Sequence, residues 1–173
     1  MTGVSDMYQV GDKIVYPMHG AGVIAAIEEK EILGHVSSYY ILEVPKGNIS
    51  LMVPVKNADE IGVRNVVEPH VIDELFSYIA TAEVMVNDNW NKRYRENMEK
   101  IKSGDLFAIG PIYKYLLEKD MQKGLSAGEK KMFLSAHQIL LSEVILSKNI
   151  SKEEAEALMT EKICASAKST EQD

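Results

Sequence analysis

Cysteine, tryptophan and long apolar runs are scarce in this 173-residue sequence. The single cysteine, Cys164, excludes an internal disulfide and a metal site built from several thiolates, and it is typical of a reducing compartment. No stretch approaches the roughly 20 apolar residues of a membrane span, and the opening MTGVSDMYQV lacks the basic end and apolar run of a signal peptide. We therefore expect a cytoplasmic protein without membrane contact, whose residues 1–7 form a flexible leader.

An overall surplus of basic residues is also missing. The 19 Lys and Arg face 26 Asp and Glu, and the formal net charge is −7. Acidic chains are poor non-specific ligands of nucleic acid, because attraction to phosphate supplies most of that affinity. Residues 1–69 and 150–173 carry the acidic surplus, whereas residues 70–149 have 11 basic and 11 acidic side chains. Any contact with DNA is therefore expected in the middle of the chain.

Motifs for catalysis or metal binding are not found. The four histidines are His19, His35, His70 and His137. They show neither the HExxH spacing nor the neighbouring cysteines of a zinc site, and no GxSxG element presents a nucleophilic serine. The glycines of HGAG at 19–22 would suit a phosphate loop if a helix followed, but a strand is predicted there, so we interpret them as turn or bulge residues. We expect no enzymatic activity, no cofactor and no metal ion.

The first third of the chain predicts a small antiparallel β-barrel. Between Tyr8 and Val67 the β-rich runs VGDKIVYP, GAGVIAAI, SYYILEVP and ISLMVP alternate with breaks that are long enough for hairpins but too short for crossover helices. This pattern is typical of a five-stranded SH3-like or Tudor-like roll. An edge strand of such a roll can pair with a strand of another chain. We therefore expect an N-terminal domain at 8–68 whose partner is a protein.

After Pro69 the pattern changes to apolar residues three and four positions apart, which predicts four or five helices over 69–166 and a frayed tail at 167–173. The fold class is therefore α+β, a β-barrel followed by a helical bundle. One helix is predicted from Asn89 to Lys102, with Asp88 as its N-cap. Asp105 is expected to cap the next helix, which Gly110-Pro111 should kink or restart because proline lacks an amide hydrogen.

Two capping boxes predict the last helices. Ser126 and Glu129 have the spacing of a reciprocal cap and precede a long helix with an apolar stripe. The same spacing recurs at Ser151 and Glu154, which predicts a shorter helix over about 152–165.

The segment NWNKRYRENMEKIK is the most informative for function. Trp90, Tyr94, Met98 and Ile101 recur at helical spacing and form one apolar stripe. The same stretch has five basic residues, Lys92, Arg93, Arg95, Lys100 and Lys102, against two glutamates. Trp90 in this pattern is either a core residue or, because it begins the helix, an exposed ring beside phosphate-binding side chains. Lys130 and Lys131 would add phosphate contacts if their helix lies alongside.

Four segments together resemble the CarD/CdnL family in order and spacing: YQVGDKIVYPMHGAGVI, NISLMVPVKNADEIGVRNVV, NWNKRYRENMEKIKSGD and DMQKGLSAGEKKMFLSAHQILLSEV. The resemblance covers nearly the whole chain. It implies a bacterial transcription regulator whose Tudor-like domain, residues 8–67, docks on the β subunit of RNA polymerase partly by strand addition. The residues expected at that contact are Lys30, Ile49, Ser50, Leu51, Met52 and Pro54.

The resemblance also implies that the helical domain meets promoter DNA at the upstream edge of the transcription bubble. Trp90 would be a wedge in the minor groove, and backbone contacts would come from Lys92, Arg93, Arg95, Lys130 and Lys131. Sequence-specific contacts are not required, and we expect a monomer. Departures from the family pattern are Met52 and Lys30, where some relatives carry arginine, and Asn91 and Gly110-Pro111.

Two other functions remain open from the residues. The chain could be a protein-interaction module that binds polymerase or a repair factor without touching DNA, although the helicase motifs of transcription-repair coupling factors are absent. A small-ligand or enzymatic domain would need a pocket with convergent polar groups.

Overall fold

The structure is a computed structural model that describes residues 8–45, 49–83 and 88–164. Its first half is one antiparallel sheet with the strand order β4-β3-β2-β1-β5. The strands are β1 Lys13–Tyr16, β2 Gly20–Ile32, β3 His35–Glu43, β4 Ser50–Pro54 and β5 Arg64–Asn65, with a short helix α1, Ala58–Ile61, before β5. The predicted five-stranded roll is confirmed. The predicted leader 1–7 and tail 167–173 lie outside the described residues.

The sheet encloses a core of its own. Its buried side chains include Ile14, Ile24, Tyr40, Leu42 and Val53. In the second half of β3 the buried residues alternate with more exposed ones, as in a half-buried strand. Residues 17–19 form a turn, and a strand follows it, as the sequence predicted for the HGAG segment. Gly20 has φ +105°, a conformation that other residues rarely adopt. Gly20 therefore serves the turn, whereas Gly22 lies within β2, where a Cβ would be 2.6 Å from the Glu43 carbonyl oxygen of β3.

The second half of the described chain is helical, so the α+β class is confirmed. The helices are α2 Pro69–Thr81, α3 Trp90–Ser103, α4 Leu106–Gln122, α5 Ala127–Lys148 and α6 Lys152–Met159, and a π-helical turn at Thr160–Cys164 follows. A second buried cluster joins all of them and includes Ile72, Leu75, Ile109, Leu116 and Ile139. The sheet and the helices thus have separate cores, while the predicted division at residues 68 and 69 stays a prediction.

Most helix ends lie where the caps predicted them. Asp105 accepts a hydrogen bond from the Phe107 amide, and Ser151 accepts one from Glu154. Both hydrogen bonds of the Ser126 and Glu129 capping box are present. The N-cap of α3 is Asn89, which accepts from the Lys92 amide, so the assignment of that cap to Asp88 was wrong by one residue.

The restart predicted at Gly110-Pro111 is wrong, because α4 is one helix with Pro111 inside it, while the alternative of a kink stays a prediction. Proline there removes one hydrogen bond of the helix, and tertiary packing compensates for this loss. Gly110 lets α4 approach α2 so closely that a Cβ at this position would lie 2.6 Å from the Ile79 Cδ1 atom. Because Gly110 has no side chain, α4 can pack closely against Ile79 of α2 at this point, and the helix continues through it.

The two halves are joined through α5. The side chain of Glu143 has no exposed surface and accepts two hydrogen bonds from the Arg64 guanidinium, at 2.7 and 2.9 Å, and a third from the Val67 amide. Arg64 also donates to the Gly104 carbonyl, 2.8 Å away. On the sheet side, the Ala21 amide donates to the Ser142 hydroxyl. These directional bonds set how the sheet faces the helices.

Candidate functional site

Trp90 lies at the surface of the helical half, not in its core. It is the first residue of α3, and 44% of its surface is exposed. One face of the indole stacks on the Tyr94 ring, with the centroids 5.3 Å apart and the planes 16° from parallel. Further along the stripe, Met98 is half-buried and Ile101 is fully buried. The stripe therefore runs from the core to the surface, and its exposed end is aromatic.

Gly128, the second residue of α5, lies under these two rings. An ideal Cβ at Gly128 would be 3.5 Å from Tyr94 Cε2 and 3.9 Å from Trp90 Cζ2. The start of α5 is held by the neighbouring Glu129, which accepts from the Lys119 ammonium at 2.7 Å. Burial would raise the pKa of Glu129, but the hydrogen bonds from Lys119 and Ser126 outweigh it and lower the pKa. The indole thus rests on a firmly capped helix end.

The basic residues of α3 do not form one patch. Arg93 lies about 160° around the helix from Arg95, whereas Lys92 lies only about 60° from Arg95. Accordingly, Lys92 and Arg95 border a shallow open surface beside Tyr94 and Met98, while Arg93 borders the cleft on the opposite side of α3. The structure therefore brings Lys92 and Arg95 together but separates them from Arg93.

Lys92, Lys130 and Lys131 are exposed. Lys92 lies 3.9 Å from Glu96, an exposed pair whose energy is small in water. On α5, Lys131 lies about 60° around the helix from Gly128 and Lys130 about 160° from it. Lys131 is thus on the flank next to Trp90, whereas Lys130 faces away from α3.

On the sheet, β4 is an edge strand that pairs only with β3 among the described strands. The Val55 amide donates to Ser38, and the Ile49 carbonyl accepts from Val44. Alternate residues of an antiparallel strand direct their backbone groups to opposite sides, so Ser50 and Met52 direct N–H and C=O toward the free edge. The carbonyl group of Pro54 also points toward the free edge, but proline has no N–H, so the row of outward hydrogen-bond donors ends before it.

The six residues predicted to meet polymerase differ in position. Ile49, Ser50 and Met52 are exposed. The side chain of Leu51 is half-buried against the sheet core, so a partner strand at the β4 edge would contact its neighbours Ser50 and Met52 instead. Lys30 is on β2 opposite Ser37, so β3 separates it from β4, and its ammonium is 3.0 Å from Glu28. Lys30 is therefore not part of the β4 edge.

The sequence pattern missed three features of these surfaces: the Tyr94 support of the indole, the role of Gly128, and the direction of the β4 amides. The spacing of four between Trp90 and Tyr94 is the one local signal that could have revealed the ring stack. The helices of the described ranges include none that is long and apolar enough to cross a membrane. Within the same ranges, no three His, Cys, Asp or Glu side chains cluster as metal ligands do.

Two family models match the chain. The model "CarD-like/TRCF RID domain" matches residues 8–67, and "CarD, C-terminal domain" matches residues 74–160. The chain therefore belongs to the CarD family, a family of transcription regulators related to RNA polymerase interaction and not an enzyme class. It is also 34% identical over 148 residues to the Bacillus subtilis (strain 168) protein named "Putative transcription factor YdeB", an alignment that covers 86% of this chain and 97% of that relative.

Proposed function

We propose that the protein binds the β subunit of RNA polymerase through the free edge of β4 and stabilises the open promoter complex through its helical half. In this proposal Trp90 enters the minor groove at the upstream edge of the melted DNA, without reading a sequence. Binding to polymerase would also bring the protein to the nucleoid.

The observation that carries the DNA part is the position of Trp90. A large ring that is nearly half exposed, at the first residue of a helix, is a poor core residue and a good apolar wedge. Its support by Tyr94 and Gly128 limits the freedom that insertion would otherwise cost. Among the basic residues, Arg93 lines the crevice beneath Trp90 and Lys131 lies on the neighbouring flank of α5, so these two are nearest to the indole. Lys92 and Arg95 lie on the other side of α3 and would contact phosphates farther along the DNA backbone.

The polymerase part is supported by the β4 edge. Two outward residues, Ser50 and Met52, offer backbone donors and acceptors to an incoming strand, and the exposed side chains of Ile49 and Met52 offer apolar contact. Pairing through the backbone makes few demands on the sequence of the partner strand.

The two contacts act together because they lie on one framework. A protein that binds polymerase and DNA favours the open state only to the extent that it binds that state better than the closed one. Attachment to polymerase raises the effective DNA concentration at the helical half, so a weak contact is sufficient even at a net charge of −7.

The test is the lifetime of the open complex with the Trp90→Ala variant. Loss of the wedge should shorten the lifetime about fivefold or more, as expected for a base-stacking contact, while affinity for the β subunit stays unchanged. Leu134→Ala, at another exposed apolar position of the helical half, is the matched control. An unchanged lifetime in folded Trp90→Ala would instead favour a protein-interaction module that does not touch DNA.

A further inference from the structure

A cleft of about 580 Å³ lies on the side of α3 that faces away from Lys92 and Arg95. It is bordered by the end of α2, by α3 and by the first half of α4. The volume is in the range of small-ligand pockets, about 300–1,000 Å³. None of the proposed contacts with polymerase or DNA uses this cleft, apart from Arg93 at its border.

The floor of the cleft contains a buried amide. Asn97 is only 8% exposed, and no hydrogen bond joins its side chain to another residue in the described ranges. Its amide atoms still reach solvent, because the one fully buried and unpaired side-chain polar atom within those ranges is Gln138 Oε1. Most nearly buried polar side chains have a hydrogen-bond partner, and the cleft is where a ligand could supply one to Asn97. An amide in this position can both donate and accept, and it is matched by a ligand that has a donor next to an acceptor.

The walls are aromatic and the border is neutral. The rings of Tyr78 and Phe107 are 5.5 Å apart, and Tyr78 is 46% exposed. Tyr115 and Pro111 add further flat surface. The charged residues that line the cleft are two cations, Arg93 and Lys100, and two acids, Glu83 and Glu96. This balance does not favour a free polyphosphate, whereas it is compatible with a flat and uncharged heteroaromatic ring.

We propose that the cleft binds one unpaired nucleobase of melted DNA, stacked on the aromatic wall and hydrogen-bonded to Asn97. Asparagine forms paired hydrogen bonds with the donor and acceptor edge of adenine, so adenine is the expected preference. The location favours a base from DNA, because Arg93 and Asn97 also line the small crevice beneath Trp90. A base displaced beside the indole would therefore be close to the cleft. This inference rests on the proposed function.

The test compares the affinity of the full-length protein for a labelled blunt duplex with its affinity for the same duplex carrying a short adenine tail. The tail should raise the affinity about tenfold, the gain expected for one stacked base. Tyr78→Leu, Asn97→Leu and Lys100→Glu should each reduce that gain to about twofold or less. A thymine tail should give a smaller gain than adenine in the wild type and an equal one in Asn97→Leu.

The matched control is Lys102→Glu, which has the same charge change in the last turn of α3 but lies on the opposite side. It should weaken the binding of blunt and tailed DNA equally. Tyr78 and Lys100 are exposed, so their variants preserve the test if Asn97→Leu fails to fold. Equal affinity for blunt and tailed DNA, or a tail gain that survives Tyr78→Leu and Lys100→Glu, would overturn the inference.

Binding of adenosine monophosphate alone is measured as well, because a base in the cleft could come either from a free nucleotide or from DNA. Saturable binding of the free nucleotide without any gain from the tail would overturn the assignment to DNA. Weak binding of the nucleotide that competes with the tail would support it. Failure of the proposed function looks different, since Trp90→Ala would then leave the binding of blunt and tailed DNA unchanged.

Discussion

The β4 edge and the Trp90 surface, the two proposed contact surfaces, differ in the groups that they offer to a partner. The edge offers backbone N–H and C=O groups of Ser50 and Met52, which any residue type except proline would supply. The Trp90 surface depends on one indole and on the two residues that support it. Removing one side chain should therefore abolish the proposed contact at the Trp90 surface. The proposed contact at the β4 edge should be lost only when a backbone N–H group is removed.

The Arg64–Glu143 pair belongs to neither surface. It joins the two-residue strand β5 to the last third of α5, and the Glu143 carboxylate has no exposed surface. Changes there should affect both surfaces together, whereas changes at either surface should affect that surface alone.

The largest effect is expected from Arg64→Ala. This substitution leaves the buried Glu143 carboxylate without its cationic partner. Breaking a buried ion pair in this way lowers the free energy of unfolding by about 3–5 kcal/mol. Urea unfolding measures this loss, and the open-complex lifetime and the β-subunit affinity should fall together. Lys92→Ala, which removes an exposed pair, is the control and should cost less than about 1 kcal/mol. Equal stability of the two variants would mean that the buried pair does not join the halves.

The next effect is expected from Ser50→Pro. Its N–H points to the free edge, so proline should reduce affinity for the β subunit about tenfold, equivalent to about 1.4 kcal/mol, with little change in stability. Ser50→Ala keeps the N–H and should bind as the wild type does. If Ser50→Pro and Ser50→Ala bind equally well, backbone pairing at β4 is not the contact.

A smaller effect should distinguish the two sides of α3. Lys92→Glu combined with Arg95→Glu removes two phosphate contacts from one side, and the slope of log affinity against log salt should decrease by about 2. Lys56→Glu, at an exposed position of the sheet half, makes the same charge change outside the helical half and should leave the slope nearly unchanged. An unaltered slope in the double variant would place the DNA elsewhere.

The smallest effect concerns the helix end under the indole. The pKa of Glu129 is lowered from 4.5 on folding, so its carboxylate stabilises the protein above about pH 4.5, and that contribution is lost as the pH falls through the lower folded pKa. The stability difference between wild type and Glu129→Gln should therefore shrink on acidification from neutral pH. A difference that is constant with pH, measured by urea unfolding, would contradict this.

Local signals predicted much of the fold. The caps at Asp105, Ser126 and Ser151 depend on hydrogen bonds between residues two or three apart, and each is present where the sequence predicted it. The same local logic was wrong about a restart at Pro111, where α4 continues through the proline and Gly110 packs closely on Ile79 of α2. Propensity is a weak guide where a distant element determines the outcome.

The candidate sites were predictable to a lesser degree. The sequence identified Trp90 and the basic residues around it, but it treated Lys92, Arg93 and Arg95 as one group, and the helical geometry of α3 divides them. Likewise it listed the residues of β4 but could not say which amides face outward, because this depends on the register with β3.

By itself the sequence determined the order of the main strands and helices, the caps at Asp105, Ser126 and Ser151, and the aromatic residue near the start of α3, since these follow from periodicity and contacts between near neighbours. The tertiary structure alone decided which groups meet across long separations: Arg64 with Glu143, Gly128 with the indole, and Asn97 with the rings around its cleft. The reason is physical. Such contacts depend on how whole elements pack, and packing is determined by the summed shape and burial of many side chains rather than by any local pattern.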